Sequence, residues 1–386
     1  MEQSKKLDTH FDYSEGLSIK LLKTLLSHNN DDSNIALSPA RLQAVLVLLA
    51  NWASPSIQRE ILQHICTKDI TLEGANWLSS FDRLKATPED WFASKGNCVP
   101  VIEQNTVVWA QKELEVNEEA IAEVADDFII AVKQVDFRDK DIKAVIDAVI
   151  AETTHGLIKQ LELQITPETV AIITDILYIK ALWDSPFDEC DTKDYVFYGT
   201  KGKCNVPMMV QTDDFSYQET PAFQMVTLPY RCYAKDSIRY SMRIYLPKPK
   251  NSIGDVLDDI AAAEFELHTI RQEVRLTLPK FSIESNINMN EVLREIGLNC
   301  IYDSDDVMPM CIKNLKIQNI VQQLRVDVNE HGTEAAAVTS VEMMLGCCPI
   351  DKPKPIIMRV NRPFLFEIVE EKTNTIIFTG VINNID

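Results

Sequence analysis

The six histidines of this 386-residue chain (His10, His28, His64, His155, His268 and His331) stand apart in sequence. No two share the i, i+4 spacing that lets one helix face hold a metal. His64 and Cys66 lie two residues apart, which points them to different faces of a helix. Asp303, Asp305 and Asp306 lack the glycine and later glutamate of a calcium loop and read as solvated loop carboxylates. The nine cysteines are Cys66, Cys98, Cys190, Cys204, Cys232, Cys300, Cys311, Cys347 and Cys348. Their number is odd, their spacing is scattered and no Cys-x-x-Cys occurs, so reduced thiols are expected rather than a disulfide framework or a zinc site. Gly-x-Ser-x-Gly, Gly-x-Gly-x-x-Gly and the P-loop pattern are absent. Glycine itself is scarce, at 11 residues where average usage would give roughly 27. The expectation is a protein with no metal, no cofactor and no enzymatic activity of its own.

One segment stands out for its pattern. Residues 330 to 349 read Glu-His-Gly-Thr-Glu-Ala-Ala-Ala-Val-Thr-Ser-Val-Glu-Met-Met-Leu-Gly-Cys-Cys-Pro. With period two from Thr333, one face carries Thr333, Ala335, Ala337, Thr339, Val341 and Met343. The other carries Glu334, Ala336, Val338, Ser340 and Glu342. Both glutamates fall on the second face, the pattern of a half-buried strand whose first inward side chains are small. Alanine and glutamate also favour a helix. Against that, Val338, Thr339 and Val341 are β-branched, and Gly346-Cys347-Cys348-Pro349 follows. A segment with two such readings is a candidate switch.

The elements that must hold this segment change character along the chain. Tyr13 to Leu26 is an amphipathic helix. Ser38-Pro39 caps and opens a second helix, whose run Leu42 to Leu49 is apolar almost all round and therefore buried. Glu118 to Phe128 and Asp139 to Ala151 are further helices. Strands then take over: Val170 to Ile179, Val226 to Tyr230, Ser241 to Leu246, Val274 to Ile283, Leu324 to Asn329, Ile356 to Val360, Phe364 to Val369 and Thr375 to Ile382, with a short helix at Asn290 to Ile296. Helix-rich first and strand-rich later, without regular alternation, predicts an α+β fold with large mixed or antiparallel sheets. No Pro/Ser/Gly linker divides the chain, which favours one domain over 1–386.

Several motifs in order are similar to the serpin family, the serine-protease-inhibitor fold. Asn329-Glu330-His331-Gly332-Thr333-Glu334-Ala335-Ala336-Ala337 resembles the hinge of the serpin reactive loop. Arg359-Val360-Asn361-Arg362-Pro363-Phe364-Leu365-Phe366 resembles the signature that follows the loop. Asn34-Ile35-Ala36-Leu37-Ser38-Pro39 resembles the start of helix B. Asn105-Thr106-Val107-Val108-Trp109 and Val135-Asp136-Phe137 match sheet-A strand and post-helix positions. The run Leu177 to Phe187, with Trp183 in it, resembles the strand leading to the breach, where the loop first enters. Val206-Pro207-Met208-Met209, Leu228-Pro229-Tyr230, Leu278-Pro279-Lys280-Phe281 and Phe378-Thr379-Gly380 complete the series. The resemblance implies one serpin domain with a large sheet A, two further sheets and about nine helices, with hinge and exposed reactive-centre loop at 330–357.

It also implies a mechanism. Serpins expose the loop as bait; a target serine protease cuts it and forms an acyl-enzyme, and the loop then inserts into sheet A before water resolves the ester. Small residues at Thr333, Ala335 and Ala337 suit that entry, because a charged side chain facing the core would be costly to bury. An inhibitor is therefore expected, trapping its protease covalently. A non-inhibitory chaperone or carrier and a cysteine-protease inhibitor are the alternatives. The family spacing places the scissile bond at Gly346-Cys347, or at Leu345-Gly346 one residue away. Met343, Met344 and Leu345 suit chymotrypsin-, elastase- or subtilisin-like primary pockets.

Three family positions depart from the pattern. Under the middle of sheet A the usual neutral network of serine, asparagine and histidine corresponds here to Arg41, Asp175 and Gln322. Arg41 and Asp175 are expected to form a partly buried ion pair, the alternative being an Arg41 that points to solvent. Trp52 and Ala181 stand where glycines are common.

Acidic residues outnumber basic ones 58 to 38, a formal charge of −20. With no Lys/Arg-rich run, nucleic acid, heparin and anionic membranes are not expected as partners. The longest apolar stretch, Ala44 to Ala53, is about half a membrane span. A polar N-terminus and no Asn-x-Ser/Thr sequon point to a cytoplasmic location, or a secreted or periplasmic one if a leader has been removed; a monomer is expected.

Overall fold

The computed structural model describes residues 14–29, 32–65, 101–128, 130–153, 156, 160, 163, 165–232, 238–262, 267–304, 307–309, 311–312, 315–333 and 354–385. In chain order its elements are α1 (Ser14–His28), β1 (Ile35–Leu37), α2 (Pro39–Trp52), α3 (Pro55–Ile65), β2 (Val101–Gln111), α4 (Glu118–Phe128), β3 (Ile130–Val135), α5 (Ile142–Thr153) and β4 (Ala171–Leu182). There follow β5 (Lys193–Gly199), β6 (Gly202–Glu219), β7 (Phe223–Pro229), β8 (Tyr240–Pro247), α6 (Ile253–Ile260), β9 (Ile270–Pro279), β10 (Phe281–Asn288), α7 (Asn290–Glu295) and α8 (Cys300–Asp303). The chain closes with β11 (Asn319–Asn329), β12 (Gly332–Thr333), β13 (Ile356–Arg359), β14 (Phe364–Glu370) and β15 (Thr375–Ile382).

Two sheets form the frame. One runs β10-β11-β12-β4-β2-β3, with β11 also paired directly to β4; the other runs β1-β15-β14-β8-β7-β6-β9-β13, with β5 on the side of β6. The two smaller sheets expected from the sequence are thus continuous. The long β6 joins them, pairing with β5 and β9 along most of its length and with β7 at its end. Val274 to Ile283, read as one strand, is two. The chain leaves the nine-stranded sheet at Pro279 and enters the six-stranded one at Phe281, while Lys280 N–H donates to Pro207 O.

α2 is the central helix. Ser38 caps it by accepting from Arg41 N–H, Pro39 opens its first turn, and all of its residues but Ala40 and Asn51 are buried. It lies against one face of the six-stranded sheet, where Val108, Ala110, Ala171 and Ile173 share a core with Leu42, Val45 and Leu49. α5 covers the other face through Ile142, Ile146 and Ile150, spaced at i, i+4 and i+8, which pack on Val107, Trp109, Ile172, Ile176 and Val321. β4 is therefore buried on both faces from Ala171 to Ile179, which is why its sequence runs apolar instead of alternating. Among the described residues no helix is long and apolar enough to cross a membrane.

Candidate functional site

The site is a seam. β4 and β11 run parallel and are hydrogen-bonded directly from Asn319↔Ile172 to Arg325↔Tyr178. Beyond Arg325 they part, and the chain turns back through Glu330 and His331 so that β12 lies between them. Thr333 pairs with Val328 and with Ala181, and Gly332 with Asn329 and Leu182, antiparallel to both neighbours. The period-two reading of the sequence placed Thr333 on the inward face, and it is fully buried.

The mouth of the seam is built for this stub. Thr333 Oγ1 and Tyr230 OH hydrogen-bond at 2.6 Å, and the Tyr230 ring stacks on Trp183 with centroids 4.6 Å apart. Trp183 Nε1 donates to Asn329 O at 3.0 Å, and its backbone N–H to His331 O at 2.8 Å. Gly332 sits at φ 153°, and a Cβ there would lie 2.0 Å from Ala181 O; only glycine lets the two backbones approach so closely. Ala181, where glycine is common in the family motif, thus presents its carbonyl to the hinge. Glu330 is buried and held by Lys280 Nζ at 2.9 Å and Thr192 Oγ1 at 2.8 Å. Burial pushes its carboxyl up, but the hydrogen bonds from Lys280, its own backbone and Thr192 outweigh that and leave it below the ordinary range.

Halfway along the seam, Asp175 of β4 lies in one row with Thr106 of β2 and Gln322 of β11. All three side chains face α2. Arg41 Nη2 and Nε donate to Asp175 Oδ1 at 2.9 and 3.2 Å. Thr106 Oγ1 donates to the same oxygen at 2.9 Å and accepts from Arg41 Nη2. Gln322 Nε2 donates to Asp175 Oδ2 at 3.0 Å and to Ser38 O at 3.1 Å, while its Oε1 accepts from Ser38 N–H at 2.7 Å. The expected ion pair is present, but it is fully rather than partly buried, with side chains 4% and 1% exposed. α2 is enclosed all round and β4 is covered on both faces, so Arg41 has no path to solvent. Two buried charges are tolerated because they meet each other directly and both carboxylate oxygens of Asp175 accept further hydrogen bonds, from Thr106 and Gln322.

A family model described as Serpin (serine protease inhibitor) matches residues 12–385. The chain belongs to the serpin family. It is 30% identical over 372 residues to an uncharacterized serpin-like protein of Thermococcus kodakarensis, covering 94% of this chain and 83% of that one. It is 26% identical over 382 residues to Serpin-ZX of Arabidopsis thaliana, covering 95% and 96%. Among solved structures, Serpin48 of Tenebrio molitor superposes with a TM-score of 0.83 at 22% identity over all of both chains. The thermophilic serpin tengpin in its native state gives 0.84 at 23% identity, over all of this chain and 96% of that one. Many serpins are protease inhibitors, not catalysts, and family members typically bind target proteases.

In this serpin the sequence-predicted residues fall into two groups on one seam. Ser38, Arg41, Asp175 and Gln322 meet under its middle, and Trp183, Glu330, Gly332 and Thr333 meet at its mouth. Glu334, Ala335, Ala336, Ala337, Leu345, Gly346 and Cys347 lie outside the described residues. Thr106, Lys280 and Tyr230 stood inside recognised motifs without an assigned role. A signal for Thr106 existed, since a buried Arg–Asp pair needs further polar partners; nothing in the sequence tied Lys280 to Glu330. Among the described residues no group of His, Cys, Asp and Glu is placed to hold a metal.

Proposed function

We propose that this serpin is a suicide-substrate inhibitor of serine endopeptidases of the chymotrypsin, elastase or subtilisin kind. The protease serine attacks the carbonyl of Gly346, or of Leu345 in the neighbouring register, forming an ester as the amine of the next residue leaves. The freed end of the loop then enters the seam behind Thr333, between β4 and β11, and the ester is stranded before water reaches it. The observation that carries this reading is the seating of Gly332 and Thr333 at the mouth of a seam that is otherwise paired strand to strand. An antiparallel strand can continue from there by exchanging one ladder for two. The surplus of acidic residues favours cationic proteases. Cys190, Cys204, Cys300 and Cys311 are not in disulfides, which suits a reducing, cytoplasmic location.

Incubation with a panel of such proteases tests the proposal. Complexes stable on denaturing gels are expected, with mass spectrometry of the released peptide giving the cleaved bond. Nicking within the loop should raise Tm by more than about 10 °C. Clean cleavage with no complex and no gain in Tm would assign the chain to the non-inhibitory serpins instead.

A further inference from the structure

The foot of the seam carries a fastening separate from both groups above. Just before β11 begins, Gln318 reaches across to the start of β4. Its Oε1 accepts from the backbone N–H of Val170 at 2.8 Å and of Ala171 at 2.9 Å. Its own N–H donates to Ala171 O at 3.2 Å, and its Nε2 to Glu168 O at 3.4 Å. Asn290, at the head of α7, in turn holds the Gln318 carbonyl. One amide side chain thereby satisfies two backbone donors at the point where the parallel ladder starts.

Packing here is one-sided: Ala171, Ile317 and Ile320 are buried in the core, while the other side is open. A cavity of ≈ 440 Å³ opens beside the clamp, with Leu163, Glu168, Asn288, Gln318 and Asn319 among its walls. Hydrogen bonds next to such free volume have few apolar contacts on that side. The Asp175 row, by contrast, lies under a helix on one face and within a tight core on the other. At the foot, the clamp fastens β11 to β4 just before their ladder begins at Asn319↔Ile172.

The register says when an incoming strand meets it. Thr333 lies opposite Val328 and Ala181. A strand that keeps this register advances one residue for each it passes on both neighbours. Residue 343 then arrives between Gln318 and Ala171, just short of the bait bond.

We propose that Gln318 is the last latch of the seam, a positioning residue that keeps the foot shut in the intact chain and must release Val170 and Ala171 before insertion is complete. This rests on the insertion reading above. The latch acts late, so it governs the end of the race between insertion and hydrolysis, not the entry of the hinge.

Three variants test it. Gln318→Leu keeps the size and removes the acceptor, and Gln318→Glu keeps an acceptor oxygen at the same reach. Gln318→Asn, one methylene short, is a second removal if the leucine variant does not fold. In the intact chain, hydrogen exchange at Val170 and Ala171 should quicken about tenfold in Gln318→Leu and stay within about twofold in Gln318→Glu. Against a protease that the unmutated chain traps, Gln318→Leu should yield a larger share of covalent complex. Its heat-inactivation half-life should shorten by about threefold or more, while Gln318→Glu should match the unmutated protein in both. Unchanged exchange in Gln318→Leu overturns the latch. Faster exchange with the same product ratio and half-life overturns its place on the insertion path. Failure of the insertion reading shows separately, in an unmutated chain whose Tm does not move on nicking, and the proposal then falls with it.

Discussion

Arg41 and Asp175 form an ion pair of 2.9 Å inside the protein, and the second oxygen of that carboxylate, Oδ2, accepts from Gln322 across the seam. One carboxylate therefore fastens α2 to β4 and β4 to β11. Asp175→Asn leaves the Arg41 charge buried without its counterion and should cost about 3–5 kcal/mol in urea unfolding. The double variant Arg41→Gln/Asp175→Asn, neutral on both sides, should recover most of that loss, and a double-mutant cycle reads the coupling.

Thr333 is the first hinge residue inside the sheet, bonded to Tyr230 and fully buried. Thr333→Arg would force a guanidinium into a fully buried position against Tyr230, which stacks on Trp183. Protease should cut this variant as an ordinary substrate. On denaturing gels the covalent band is expected to vanish while the cleaved chain accumulates.

Gly332→Ala places a methyl group on the Ala181 carbonyl, in backbone that neither β4 nor the turn can yield cheaply. The hinge stub should lift from the seam at a cost of about 1–3 kcal/mol. Hydrogen exchange at Thr333 N–H should be slow in the unmutated chain and accelerate by an order of magnitude or more in the variant.

The docking of Glu330 predicts an acid-sensitive mouth. Burial alone would raise its carboxyl, yet Lys280 and its other donors hold it below the ordinary value of 4.5. A lowered pKa means the folded chain binds that proton less tightly than the unfolded one. The contribution is then fully present above about pH 5 and is lost as pH falls through the folded value. The unmutated chain should therefore lose Tm more steeply between about pH 5 and 3 than Lys280→Met. Parallel acid limbs in the two proteins would show that the pair contributes nothing.

Much of this was legible in the residues themselves. The cap at Ser38, the enclosed α2 and the inward side of Thr333 follow from local pattern, and the pairing of Arg41 with Asp175 from the family resemblance and the cost of an unpaired charge. The strands β2 and β6 were harder to read. β6 mixes Lys203, Asn205, Asp213 and Asp214 with its apolar residues, because much of it is exposed and only short stretches face the core. The break at Lys280 left a trace that a reading as one strand passes over: the apolar residues fall at Val274, Leu276 and Leu278 before it and at Phe281 and Ile283 after it, a change of phase.

By itself the sequence determined the family, through motifs it resembles, and the α+β class, because motif order, periodicity and capping are carried by near neighbours or by residue type alone. How far Thr333 enters, that Arg41 is wholly enclosed, and that Lys280 meets Glu330 and Gln318 meets Val170 were decided only by tertiary structure. Those contacts join segments far apart in the chain, and their existence depends on strand register, which no local pattern specifies.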